Sequence, residues 1–506
     1  MQMLRIFGPP GTGKTTTLLN MVDDALSSGI SPNRIAFLAF TRKAANEAKE
    51  RAATRFNLSP KELPFFRTIH SLALASSSIR AEQIMQPENY KEISHATGIQ
   101  IGDSRTADFE DDLPSVAASK DPILGLINLA RLRKMPLREQ YDQSEIDVDW
   151  NTVKYIEKTL HAYKKRFNLY DFTDMLEIFI AEGERYCPEF DLCFLDEAQD
   201  LSPLQWDIAH ILDSKSKRMY AAGDDDQAIY RWAGADVDHF INLPGGAETL
   251  SQSYRIPSDV HDLAEKVVRR IARRFPKRYE PRSERGHVAR ITTISSLDMS
   301  QGTWLVLSQA GYQLQPVAQE LKSSGLLFNY RGHRSISEKV STAVNGWEQL
   351  RRGESVYGDV ARTIFGYMSV GDRITKGFKK LPGVYDDQLV NLAFLRAKGG
   401  LLADQSMIWS QAMDRLPETD RAYITALLRR GEKFNAPPRI TLSTIHGAKG
   451  GEADNVVLFT DLSYAASREM THNPDDMHRV FYVGVTRTKD KLFIVEPEDM
   501  ERCYDL

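Results

Sequence analysis

Cysteine is scarce: Cys187, Cys193 and Cys503 are the only three in 506 residues, and none has a neighbour at metal-ligand spacing. Neither a zinc site nor an iron–sulfur cluster is expected, and a reducing cytoplasm is the simple inference. No secretory leader and no apolar run of bilayer length occurs, so no membrane partner is expected. Charge of one sign is also missing. Lys and Arg number 65 against 69 Asp and Glu, for a net charge of −4 and a pI near 6.3. A globally basic nucleic-acid coat is thereby excluded, and any site for a polyanion must be local. Internal repeats and low-complexity tracts are absent, which argues against a solenoid or a disordered chain. The hydrophobic content of 42% over this length leaves room for two to four globular domains.

Against these absences stands a phosphate loop. Gly8 to Thr15 read GPPGTGKT, between a short apolar run at Met3–Phe7 and a stretch of helical spacing from Thr16. Gly8, Gly11, Thr12 and Gly13 shape the loop, and backbone N–H groups from Gly11 to Lys14 can cradle phosphates at the helix start. Lys14 can neutralise the β and γ oxygens of a nucleotide, Thr15 can ligate Mg²⁺, and Thr16 follows in the same turn. A second apolar run, Phe190–Leu195, delivers Asp196 and Glu197 to a strand end. Adjacent carboxylates are usually a solvated surface pair. At the carboxyl end of a buried strand they suit metal binding, through Asp196, and deprotonation of an attacking water, through Glu197.

Gly223 to Trp232 read GDDDQAIYRW, with the polar Gln227 a few residues before Tyr230 and Trp232. A γ-phosphate sensor next to two exposed base-stacking rings is an arrangement that an ATP-driven nucleic-acid motor needs. A buried core tryptophan is the plain alternative for Trp232.

Further strings follow in a fixed order: AFLAFTRKAANEAKER at Ala36–Arg51, RTIHSLA at Arg67–Ala73, YDFTDML at Tyr170–Leu176 and DEAQD from Asp196. LSQSYRIP at Leu250–Pro257, ITLSTIHGAKGGEADNVVL at Ile440–Leu458 and FYVGVTRTKDKLFIV at Phe481–Val495 complete the series. In this order they resemble the UvrD/Rep/PcrA-like helicases of superfamily 1, across nearly the whole chain. The resemblance implies that Arg255 and Arg487 reach the γ-phosphate from the second lobe, that Tyr254 stacks on adenine and that Glu452 contacts ribose. It places Thr41, His70, Tyr230, Trp232, His446 and Lys449 on the DNA track, with Lys449–Gly450 coupling track to nucleotide. ATP and Mg²⁺ are the implied cofactors. Single-stranded DNA and single/double-strand junctions are the implied partners, with an accessory repair or replication protein, in a bacterial cell or phage-infected host. There are departures. The family's adenine-reading glutamine lies well upstream of the phosphate loop, where this chain offers only Gln2. Ile69 stands where phenylalanine is usual, Gly451 where leucine is usual, and Ala233 where arginine is usual.

The expected fold is α/β: two RecA-like doubly wound parallel-sheet lobes, each interrupted by a mainly helical insertion. Residues 1–85 and 165–250 form the first lobe, with strands near Met3–Phe7, Arg34–Ala39, Leu192–Leu195 and Arg218–Ala222. Residues 86–164 are its insertion. Residues 251–332 and 436–506 form the second lobe, with strands at His287–Thr293, Trp304–Ser308, Arg439–Thr444, Asn455–Phe459 and Lys491–Val495. Residues 333–435 are a reduced second insertion. A basic stretch from Lys266 to Arg285 reads either as a solvated helix face or as a phosphate-contacting stripe. The leading function is an ATP-dependent 3′→5′ helicase or translocase on single-stranded DNA. The alternative is a nucleotide-gated single-strand clamp or loading factor, and an RNA track stays open. A fused nuclease has no room after the last string.

Overall fold

The computed structural model describes residues 3–102, 121–381, 383–433 and 436–506. Six strands form the first sheet: β1 Leu4–Phe7, β2 Ile35–Ala39, β3 Phe66–Thr68, β4 Phe190–Leu195, β5 Ser216–Gly223 and β6 Ala247–Thr249. Their order is β3-β2-β4-β5-β1-β6, and every pairing is parallel. All five residues of β2 are buried, as a strand covered on both faces requires. Apolar layers lie on either face: Leu18, Leu19, Val22 and Ala48 on one, Phe179, Trp206, Ile208 and Phe240 on the other.

Seven strands form the second sheet: β7 His287–Ile291, β8 Trp304–Ser308, β9 Phe328–Tyr330, β10 His333–Arg334, then β13 Ile440–Thr444, β14 Ala453–Phe459 and β15 Thr488–Val495. Between them, β11 Val356–Tyr357 and β12 Leu389–Val390 make a separate two-stranded ribbon. The order is β10-β9-β13-β8-β14-β15-β7, parallel except for the β9–β10 hairpin. The architecture is α/β, with two RecA-like lobes. Strands β3, β6, β9 and β10 are too short for periodicity to reveal, and β10 falls inside the stretch expected as the second insertion. Among the described residues, no helix is long and apolar enough to cross a membrane.

The two inserted regions differ in how they are held. The first has an apolar centre of its own, with Ile93, Ile101, Ile123, Leu124, Ile156 and Leu160. Helices of the second share one continuous core with the sheet beside them: Trp347, Ile364, Phe365 and Met413 pack with Trp304, Val306, Ile440 and Leu442. The lobes themselves meet through an apolar seam in which Ile229, Tyr230 and Ala233 join Ile445, Ala448 and Phe481.

The cations of the basic stretch at Lys266–Arg285 are placed in two different settings. Lys277 is buried and pairs with Asp224, Asp225 and Asp226, and Arg274 pairs with Asp226. Arg273, Arg285 and Arg269 pair with Asp238, Asp259 and Glu265. Phe275, between the two cluster cations, stacks on Phe7 at 4.0 Å, directly beneath the phosphate loop. Lys277 and Arg274 pin chain to chain, while the side chains of Arg269, Arg273 and Arg285 stay largely exposed.

The YDFTDML string also has a structural task. Asp171 caps the helix Phe172–Tyr186 and, with Asp174, receives Lys164 at 2.6 and 2.7 Å. Arg131, from the inserted helix Pro122–Leu132, reaches Asp171, Asp174 and Glu177 at 3.0, 2.6 and 2.7 Å. Removing one cation of a largely buried ion network leaves uncompensated carboxylates, at a cost of about 3 kcal/mol or more. Arg131→Met is therefore expected to lower the thermal unfolding midpoint measurably by differential scanning fluorimetry. An unchanged midpoint would show that the network adds nothing.

Candidate ATPase centre and nucleic-acid track

The phosphate loop leaves the carboxyl end of β1 and enters the helix Lys14–Ser27. Gly11 and Gly13 have φ of 73° and 76°, the left-handed region that glycine adopts without strain. A Cβ on Gly11 would run into Arg255, so the loop and the second lobe's arginine approach as closely as backbone allows. The approach is fixed by two hydrogen bonds. The Ser253 hydroxyl donates to the Pro10 carbonyl, and the Tyr254 N–H donates to the Gly11 carbonyl, both at 2.8 Å. The Tyr254 ring is 74% exposed beside the loop, open to a planar partner. Gln2 lies outside the described residues.

Asp196 and Glu197 follow β4 and face the loop. Lys14 Nζ lies 3.5 Å from Asp196 and donates to Glu197 at closer range. The Thr15 hydroxyl donates to Asp196 at 3.1 Å. Burial pushes the Asp196 carboxyl up, against the pull of Lys14. Burial also opposes ionisation of Glu197, but Lys14 and Lys449 outweigh it and hold this carboxyl down at about 2. Glu197 has φ 57°, a left-handed conformation that a non-glycine residue holds only under constraint from its surroundings. Gln199 supplies part of that constraint, donating to Glu197 at 2.5 Å while its amide oxygen accepts the Asp224 N–H at 3.0 Å.

Gln227 stands at the lobe boundary. Its Nε2 donates to Asp224 at 2.7 Å and its Oε1 accepts from Arg487 at 2.7 Å. Arg487 follows the helix Pro474–Val485, is buried, and also donates to the carbonyls of Val483 and Gly451 at 3.0 and 3.3 Å. Burial, with Arg255 nearby, pushes its guanidinium down to about 9. Arg255 donates to Glu452 at 2.6 Å, and Lys489 pairs with the other oxygen of Glu452 at 2.6 Å. Glu452 is thus paired with two cations; burial opposes its ionisation, and Lys489 and Arg255 hold its carboxyl below the usual range.

The track residues divide. Trp232 is 49% exposed and Tyr230 only 6%, so the expectation of two exposed rings holds for one. Tyr230 stacks on Phe40 at 5.6 Å and donates its hydroxyl to the His446 carbonyl at 3.2 Å. Trp232 meets Tyr230 and His446 edge-on at 6.4 and 6.3 Å. A core role for Trp232 is excluded. Lys449 lies over the Tyr230 ring at 4.9 Å, donates to the Gln227 carbonyl at 2.8 Å, pairs with Asp200 and stands 3.8 Å from Glu197. Burial pushes the Asp200 carboxyl up to about 6 against that pairing. Thr41 caps the helix Arg42–Phe56 by accepting the Ala44 N–H at 3.1 Å. His70 abuts Phe172 edge-on, and burial pushes the imidazoles of His70 and His446 down to about 4, so both are neutral near pH 7.

Sequence reasoning missed Gln199, Asp200, Ser253, Lys489 and Lys277. The first four sit inside strings already singled out. Lys277 falls in the basic stretch, but its role gives no local signal, because its partners lie some fifty residues back along the chain.

A phosphate loop on one RecA-like lobe, facing arginines from another, defines a two-lobed P-loop nucleotide-binding protein. Profiles of the UvrD/REP helicase N-terminal domain and the UvrD-like helicase C-terminal domain match residues 2–245 and 420–498. The chain belongs to the UvrD/Rep/PcrA-like superfamily 1 helicases. It is 29% identical, over 54% of its length, to an ATP-dependent DNA helicase PcrA of Leuconostoc citreum, of which the match covers 38%. It is 24% identical, over 82% of its length, to a putative ATP-dependent DNA helicase YjcD of Bacillus subtilis, covering 56% of that protein. A PcrA of Staphylococcus aureus is 27% identical over 54% of the chain and 39% of the relative. The chain thus spans roughly 40–55% of the length of these relatives.

Proposed function

We propose that the protein is an ATP-driven motor that moves 3′→5′ on single-stranded DNA and couples hydrolysis between its lobes to strand separation. One observation carries this reading. Lys449 lies at once over the Tyr230 ring, against the Gln227 carbonyl and near Glu197, so track side and nucleotide side share a cation. The 3′→5′ direction rests on family membership.

The site residues divide the chemistry. Gly8, Gly11, Thr12, Gly13, Lys14 and Thr16 surround the phosphates, Tyr254 stacks on the base and Glu452 meets the ribose. The Thr15 hydroxyl and Asp196 carboxylate, hydrogen-bonded beside Lys14, are hard oxygen donors that suit Mg²⁺. The ion, when bound, neutralises phosphate charge. A γ-phosphate seated on Lys14 competes with Glu197 for that ammonium and frees the carboxylate. Glu197 takes a proton from water, and the water oxygen bonds to the γ-phosphorus. The bond from phosphorus to the β–γ bridging oxygen breaks, with ADP carrying the electron pair away. Arg255, exchanged from Glu452, and Arg487 stabilise the charge on the transferring group, while Gln227 reports its presence. Trp232 offers the exposed stacking face, and Thr41, His70 and His446 border it.

Glu197→Gln is expected to retain ATP binding and to lose about two orders of magnitude or more in turnover. Trp232→Ala removes a stack worth about 1–3 kcal/mol per base, so stimulation by single-stranded DNA should fall while basal turnover and thermal midpoint hold. Phosphate release with and without single-stranded DNA checks both. A wild type without turnover would favour the clamp, and a Trp232→Ala enzyme with full stimulation would remove Trp232 from the track.

The inserted segments, about 80 and 100 residues in the expected division, are small by domain standards. Strand separation also requires a hold on the duplex ahead. Vigorous single-strand translocation with weak unaided unwinding of long duplexes is therefore expected, restored by an accessory repair or replication protein or by several motors in line. Single-turnover displacement on increasing duplex lengths, with 3′ and 5′ tails, reads both polarity and this limit. Efficient unwinding of long duplexes by one protein would contradict it.

A further inference from the structure

Three consecutive buried carboxylates precede Gln227, and Lys277 sits among them. Its Nζ lies 3.1, 2.5 and 2.6 Å from Asp224, Asp225 and Asp226, with all four side chains at most 1% exposed. The ammonium stands where a bound cation would stand, so the trio is no metal site. Arg274 takes the other side of Asp226 through two hydrogen bonds of 2.8 and 2.6 Å. The Phe275 N–H donates to Asp225 at 2.7 Å. Three negative charges are met by two cations, and water is excluded.

The chemical consequence falls on Gln227. An amide has one donating and one accepting end, and the two ends look alike in shape. Here Asp224 accepts from Nε2, which leaves Oε1 to accept from Arg487. Arg487 has no acceptor of its own. If the amide turned over, an N–H would face the guanidinium and the donor–donor contact would drive Arg487 from its place. Asp224 holds the amide only while its oxygen accepts. Carboxylates crowded this closely without a cation share a proton, because like charges in low dielectric cannot all ionise. A proton on the Asp224 oxygen that meets Nε2 makes that oxygen a donor and releases the constraint.

We propose that Lys277 is a positioning residue that keeps the Asp224–Asp226 cluster ionised and thereby fixes the amide orientation of Gln227 and the seat of Arg487. This rests on the ATPase reading above. Lys277 acts through two intermediaries and touches neither nucleotide nor track. Other groups facing the cluster are Lys14, Tyr279 and Tyr482, together with Arg479, which donates to the Asp225 carbonyl at 2.9 Å. Burial pushes the Asp225 carboxyl up to about 6 even with Lys277 present, while Asp226 is held below its usual value despite burial, by Lys277 and Arg274.

The full chain carrying Lys277→Met, and a second carrying Lys277→Met with Asp225→Asn, are measured against wild type. The double variant removes one negative charge with the positive one and keeps an amide oxygen for the Phe275 N–H. The readouts are affinity for ADP, affinity for ADP with aluminium fluoride as a mimic of the transferring phosphoryl group, and phosphate release across the pH range. With Lys277→Met, ADP affinity should match wild type. Fluoride-complex affinity and kcat should both fall about 10- to 100-fold, the worth of one hydrogen bond to a charged group. The sign of the pH effect follows: the shared proton leaves as pH rises, so kcat of Lys277→Met recovers, relative to wild type, toward high pH. The double variant should regain both quantities at every pH. Loss of thermal stability with unchanged kcat and fluoride-complex affinity would overturn the proposal. So would an equal loss in the double variant at all pH values, or failure of both to fold, which makes Lys277 structural only. If only Lys277→Met fails to fold, the double variant decides by the same criterion. A wild type that binds ADP but releases no phosphate sinks the ATPase reading alone, and the fluoride-complex ratios still test Lys277.

Discussion

The hydrogen bond from Arg487 to Gln227 is the contact on which the arrangement of the two lobes depends. Arg487 is buried and charged, and a buried guanidinium must find acceptors. It finds two backbone carbonyls within its own lobe and one side-chain oxygen across the boundary. With Asp224 holding Nε2, that crossing fixes which way Gln227 faces and where the guanidinium lies. Around it, the Ser253 and Tyr254 contacts hold the second lobe against the loop, and Ile229, Tyr230 and Ala233 seal the seam from water. A polar contact shielded in this way is stronger than one in solvent, and costlier to leave unpaired.

The carboxylate pair shows how environment divides labour between neighbours. Asp196 and Glu197 are adjacent, and burial opposes ionisation of both. Asp196 goes up and Glu197 goes down, because Glu197 is within reach of both Lys14 and Lys449. Glu197 meets both cations from a left-handed backbone. On the proposed reading, binding energy of the incoming phosphate is spent in part on taking Lys14 away from this carboxylate.

Much of this was legible in the chain because the signals are local. An apolar run ending in two acids, a glycine-rich turn ahead of a helix, and the order of the strings predict both sheets and the residues at their carboxyl ends. Strands β3, β6, β9 and β10 were not legible, since two or three residues carry no period. Exposure was legible for Trp232 and not for Tyr230. Nothing in IYRW distinguishes a ring that faces solvent from one covered by Phe40 on a distant segment. The partners of Lys277 and Arg274 in the basic stretch at Lys266–Arg285 were hidden for the same reason, since the acids that neutralise them lie far back in the sequence. Local pattern reports chemistry that neighbours in sequence perform together. Partnerships formed only by the fold leave no such trace.

The continuous core between the second insertion and its sheet has a mechanical meaning. Trp347 and Phe365 belong to the same buried apolar cluster as Trp304 and Leu442. Interiors packed at crystal-like density are stiff, and two segments that share one cannot slide without opening voids. The segment expected as the second insertion is therefore held firmly to its sheet. On the expected division, a rotation of that lobe would carry the insertion with it, with displacement growing in proportion to distance from the axis. Stiffness of this kind transmits force faithfully between the two.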